Sequence, residues 1–130
     1  MNVARRWLPV VLWSAVILAV SSDWFSTDNT GAFLRSLLGR DLPWALHVVL
    51  RKLGHLTGYA ILGALALHAA LADFRRPVLA SFAIVILVAS IDEWHQATTR
   101  SRTGTPWDVL LDVVGGAIAI GLLVQKWRPR

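Results

Sequence analysis

The 130-residue chain has no cysteine, a single tyrosine and a single methionine, and only 16% charged residues. Without cysteine there is no disulfide, no thiolate zinc site, no iron–sulfur cluster and no cysteine nucleophile. A soluble domain carries roughly 25% charged residues, so the shortage argues against a soluble globule. The chain also lacks the polar composition of disorder, because 55% of its residues are hydrophobic and cannot stay solvated. Internal repeats and low-complexity stretches are missing too. The length fits one domain, residues 1–130.

What is present is a set of four apolar runs, Trp7 to Val20, Leu53 to Ala72, Pro77 to Ile91 and Val109 to Val124. A spanning helix needs about 20 residues. With their flanks, the runs predict spans at 6–22, 51–72, 76–94 and 106–125, an all-α four-helix transmembrane bundle. The first run, behind Arg5-Arg6, has the length of a signal-peptide core, but no small-x-small cleavage site follows it, and it is read as a retained helix. The net charge of +5 sits at the ends of the runs, which favours a membrane over nucleic acid. With both termini in the cytoplasm, the inner segments hold seven Lys and Arg residues and the outer segments six. The short turn Asp73-Phe-Arg-Arg-Pro77 weights the vote towards N-in/C-in. Trp24, Trp44, Trp94 and Trp107 then form an outer aromatic belt, and Trp7 and Trp127 an inner one.

In the first outer loop, Gly31 to Gly39 carries Phe33, Leu34, Leu37 and Leu38 at helical spacing behind Thr30 as cap, which predicts a short interfacial helix. Asp41-Leu-Pro43 predicts a fresh start for a helix running on to Leu71.

Ionisable groups in or at the lip of a membrane face a bundle interior. Three ladders occur, all in the outer half. His47, Arg51, His55 and Tyr59 repeat every four residues, with Gly54 and Gly58 beside them for a close helix approach. Asp92 and Gln96 share a face, Glu93 adjoins them, and His95 lies one turn from Asp92. Asp108, Asp112 and Gly116 follow behind a polar basic loop containing Arg102, with Thr105 and Pro106 restarting the helix.

Three chemistries fit this set. The first is structural: arginines pair with carboxylates, and His55 and Tyr59 bond across helices. The second is a site for an anionic or polar head group. There Arg51 and Arg102 clamp an anion, and Lys52, Tyr59, Gln96, Asp108 and Asp112 line the site. Glu93 or Asp92 serves as base, with His55 as proton partner. The third is a divalent metal on Asp92, Glu93, Asp108 and His95. The donors suit, but no recognised ligand spacing is present and arginines adjoin, so no metal and no cofactor is expected. His68 is read as an interfacial or helix-packing residue, Trp13 as a packing residue, and Gly115, Gly116 and Gly121 as close-contact positions.

At these residues the chain resembles the VanZ-like family of small bacterial membrane proteins. The likeness lies in Arg51-Lys-Leu-Gly-His55-Leu-Thr-Gly-Tyr59-Ala-Ile-Leu-Gly63, Asp92-Glu93-Trp-His-Gln96, Arg102, and Asp108-Val-Leu-Leu-Asp112-Val-Val-Gly115, in the family's order. Asp112 departs from the Asn of many members, and Ala97-Thr98-Thr99 lacks their Phe and Pro. The resemblance implies a multi-pass protein of the bacterial cytoplasmic (inner) membrane. It also implies a link to the cell envelope, because the name-giving members confer low-level resistance to the glycopeptide antibiotic teicoplanin. It leaves open whether the chain is an enzyme. The expected partners are membrane lipids, with a lipid-linked envelope precursor, a glycopeptide or a second copy of the chain as alternatives. A non-catalytic accessory or scaffold protein is the competing reading. A transporter subunit is disfavoured because the polar residues crowd one side rather than threading the midplane.

Overall fold

In the computed structural model, which describes residues 2–22, 27–39, 43–98 and 105–127, the regular structure is helical throughout. The order is α1 (Val3–Val20), α2 (Thr27–Leu38), α3 (Trp44–Asp73), α4 (Pro77–Thr98) and α5 (Pro106–Trp127). Four of these, all but α2, are long and apolar enough to cross a membrane. A helix satisfies every backbone group internally, as a spanning segment requires.

The ends follow local chemistry. Asn2 accepts the Arg5 amide at 3.0 Å and caps α1. Pro77 and Pro106 open α4 and α5, where a missing N–H leaves no hydrogen bond unmade. Gly39, at φ 66°, closes α2 by donating to the Arg35 carbonyl at 2.9 Å. Two expectations are corrected. α2 starts at Thr27, so Thr30 lies inside the helix and does not cap it. α4 runs on to Thr98 because its polar segment turns inward and stays helical. The Asp41 cap lies outside the described residues.

α3 is the centre of the bundle, packing on α5 most extensively, then on α4 and α1. Tyr59, Leu62, Leu67, Val85 and Ile120 are fully enclosed among these helices. α3 and α5 run parallel and approach to backbone contact. A β-carbon at Gly63 would stand 2.7 Å from the Gly116 carbonyl oxygen, and one at Gly115 would collide with the Leu56 carbonyl. The close approach is therefore here and not at Gly54, which has open space around it. Gly121 has open space as well, so it is no contact position. Gly58 instead faces α1, where Trp13 Nε1 donates to its carbonyl at 2.8 Å.

Outward, the surface stays apolar, with Leu79 62% and Leu122 63% exposed, as lipid contact requires. At the end of the bundle where α3 starts, Trp44, Trp94 and Trp107 are all exposed. At the opposite end, Asp73 ties α1 to α3. Its Oδ1 lies 2.5 Å from Arg6 Nη2, and its Oδ2 accepts Trp7 Nε1 at 2.7 Å. The Trp7 ring meets Phe74 edge to face.

Candidate functional site

The parallel register of α3 and α5 brings two of the ladders together. Lys52 Nζ lies 3.3 Å from Asp108 Oδ1, and one turn deeper His55 Nδ1 lies 3.1 Å from Asp112 Oδ1. Below them the Gly63–Gly116 contact holds the two backbones close enough for these pairs to form. Thr105 Oγ1 donates to Asp108 Oδ2 at 2.9 Å, fixing the first turn of α5.

α4 adds the third ladder. Asp92 is completely buried, and its Oδ2 accepts two hydroxyls, Tyr59 at 3.1 Å and Ser21 at 3.0 Å. One carboxylate oxygen thus links α3, α4 and the end of α1. The Tyr59 ring stacks 6.4 Å from that of His55. Ligand atoms of His55, Asp92 and Asp112 all lie within 4.8 Å of one another. Glu93 and Gln96 are buried beside them on α4.

Of the residues singled out in the sequence, Lys52, His55, Tyr59, Asp92, Glu93, Gln96, Asp108 and Asp112 gather at this one end of the bundle. Arg51 and His95 are exposed, and His47 stands half-buried near Gly31. Arg102 lies outside the described residues. His68 is exposed, so of its two readings the helix-packing one does not hold. Sequence reasoning missed Ser21, read only as the flank of the first span. A lone serine carries no periodic signal.

Among the described residues, Asp92 Oδ1 and Asp112 Oδ2 are buried without a hydrogen-bond partner. Buried polar atoms in native proteins are ordinarily satisfied. Beside the cluster, a groove of about 440 Å³ runs between α1 and α3. Its walls include Trp13, Val16, Ile17, Val20, Leu53 and Ile61, with Ser21, His55, Thr57 and Tyr59 as the polar residues among its lining. Val16, Val20, Leu53 and Ile61 are exposed, so the groove opens on the surface that faces lipid.

A family model described as VanZ/LLP1 matches residues 6–127, nearly the whole chain. No curated protein and no solved structure matches it.

Proposed function

The chain belongs to the VanZ-like family, and on that premise we propose that it binds an anionic lipid-linked or envelope head group at the outer face of the bacterial cytoplasmic membrane. The observation that carries this reading is the groove between α1 and α3, apolar almost throughout, with His55 of the cluster among its lining residues. An amphiphile fits such a groove, its chain on Val16, Val20 and Ile61 and its head beside the cluster. Lys52 and the exposed Arg51, on neighbouring positions of α3, supply positive charge at the lip. Orientation rests on the short arginine turn at residues 73–77, which favours the N-in arrangement and puts the cluster outside. If the bound group also reacts, Glu93 or Asp92 is the base and His55 its proton partner.

A scaffold reading has one observation of its own. Asp92 joins three helices through Tyr59 and Ser21, as a purely structural network would. Buried networks that serve packing alone satisfy their members, however. The open oxygens of Asp92 and Asp112 are left unexplained by a purely structural network.

The test is lipid retention. The full chain, purified in mild detergent, is exposed to equal phosphatidylglycerol and phosphatidylcholine and examined by native mass spectrometry. The proposal expects preferential retention of the anionic lipid, reduced by Lys52→Gln and abolished by Val16→Trp, which fills the groove. Equal retention of both lipids, unaffected by either substitution, contradicts it. Loss of folding together with loss of binding in Tyr59→Phe would favour the scaffold.

A further inference from the structure

We propose that His55, Asp92 and Asp112 hold one divalent transition-metal cation, of the zinc or manganese class. The three side chains come from three helices, α3, α4 and α5, yet their ligand atoms lie within 4.8 Å of one another. His55 Nδ1 and Asp112 Oδ1 are 3.1 Å apart. Donors each about 2.1 Å from a shared ion stand about 3.0–3.4 Å apart at octahedral or tetrahedral angles. That pair already has the separation of neighbouring ligands, and a carboxylate oxygen of Asp92 lies within 4.8 Å of both.

A second observation points the same way. Asp92 and Asp112 are 0% and 1% exposed, and each keeps one oxygen without a partner among the described residues. Two ionised carboxylates this close repel strongly away from water, and among the described residues the cationic group hydrogen-bonded to either is the His55 imidazole. Lys52, the cation nearest His55 in sequence, is engaged by Asp108 at the lip. A divalent ion between the open oxygens satisfies both at once.

The surroundings match what metal ligands need. Tyr59 and Ser21 both donate to Asp92 Oδ2, orienting that carboxylate and leaving Oδ1 to the ion. Supports of this kind fix ligand geometry at metal sites. Imidazole with two carboxylates suits zinc or manganese rather than the all-oxygen environments of calcium and magnesium. Three protein ligands leave a coordination position open. His55 also lines the groove, and a phosphate oxygen of a lipid bound there would take that position. An ion on the carboxylates would offset their charge towards an anionic head group. This last step rests on the proposed function, whereas the ion site itself does not. The set differs from the one weighed from sequence, since His95 is exposed and Asp108 is engaged by Lys52.

The full chain in lipid-free detergent, stripped with chelator, is titrated calorimetrically with zinc chloride and with manganese chloride. The expected result is one saturable site per chain for at least one ion. Asp112→Asn and His55→Gln weaken it at least tenfold, and Asp73→Asn, at the far end of the bundle, leaves it within twofold. Circular dichroism confirms helix content in each variant. If Asp112→Asn fails to fold, the decision falls to His55→Gln, together with the cobalt absorption spectrum of the wild type, which reports nitrogen and oxygen ligands. No saturable binding of either ion, or equal affinity in His55→Gln, overturns the proposal. Lipid retention by the chelated wild type is read separately. Lipid retained without metal binding removes the ion and leaves the lipid reading standing. Metal bound without lipid preference does the reverse.

Discussion

The Tyr59 hydroxyl meets Oδ2 of Asp92 at 3.1 Å across the α3–α4 interface, with both residues fully buried. Tyr59 is the chain's only tyrosine, and the oxygen it reaches is also held by Ser21. Tyr59→Phe removes one of two donors while keeping the ring. Hydrogen bonds between membrane helices are worth about 0.6 kcal/mol on average and about 1.7 at most. Thermal unfolding in detergent is expected to show a loss in that range. A loss of several kcal/mol would mean that the network holds the bundle together, as the scaffold reading requires.

Close helix contact, by contrast, carries large penalties. Gly115→Ala places a methyl against the Leu56 carbonyl and forces α3 and α5 apart. Overpacking of this kind costs about 1–3 kcal/mol, and here it also separates His55 from Asp112. Gly121→Ala meets open space and should be neutral or stabilising by up to about 1 kcal/mol through helix propensity. Unfolding of the two variants in parallel checks the contrast.

The Arg6–Asp73 pair is partly exposed, with side chains 22% and 18% accessible. Solvent screening limits it, so Asp73→Asn should lower stability by less than about 1 kcal/mol. It lies at the far end of the bundle from Asp92. Lipid and ion binding should therefore be unchanged, which direct titration of the variant reads.

The absence of cysteine makes orientation simple to measure. Single Ser36→Cys and Phe74→Cys variants place a thiol at exposed positions, on α2 and between α3 and α4. With a membrane-impermeant maleimide on intact cells, Ser36→Cys should label at once and Phe74→Cys only after permeabilisation. The opposite pattern would move the cluster to the cytoplasmic side.

Much of this arrangement was legible in the residues. The apolar runs located all four spanning helices, and the four-residue ladders named His55, Tyr59, Asp92 and Asp112. The ladder on α3 was read too generously. Each residue turns a helix about 100°, so a step of four drifts about 40°. Arg51 is thus about 80° from Tyr59, and it is exposed. On α4, Asp92, Gln96 and Glu93 span an arc of about 100°, and His95 falls about 60° outside it. On α5 the glycine contact was read at Gly115 and Gly116, where it lies, but on α3 it was placed at Gly54 and Gly58, though the stripe through His55 and Tyr59 continues to Gly63. That α3 and α5 run parallel follows from the alternation of four spans, but their register depends on packing across the bundle and has no local signal. The pairing of His55 with Asp112, and the part played by Ser21, were therefore out of reach.

The most direct test of a lipid site is chemical. A phosphatidylglycerol carrying a diazirine in its acyl chain is incorporated with the full chain into vesicles, irradiated, and its adducts mapped by peptide mass spectrometry. The account predicts adducts concentrated on Val16, Val20, Leu53 and Ile61, suppressed by excess unlabelled phosphatidylglycerol and lost in Val16→Trp. Adducts spread evenly over lipid-facing residues such as Leu79, Leu87 and Leu122, without competition, would contradict it.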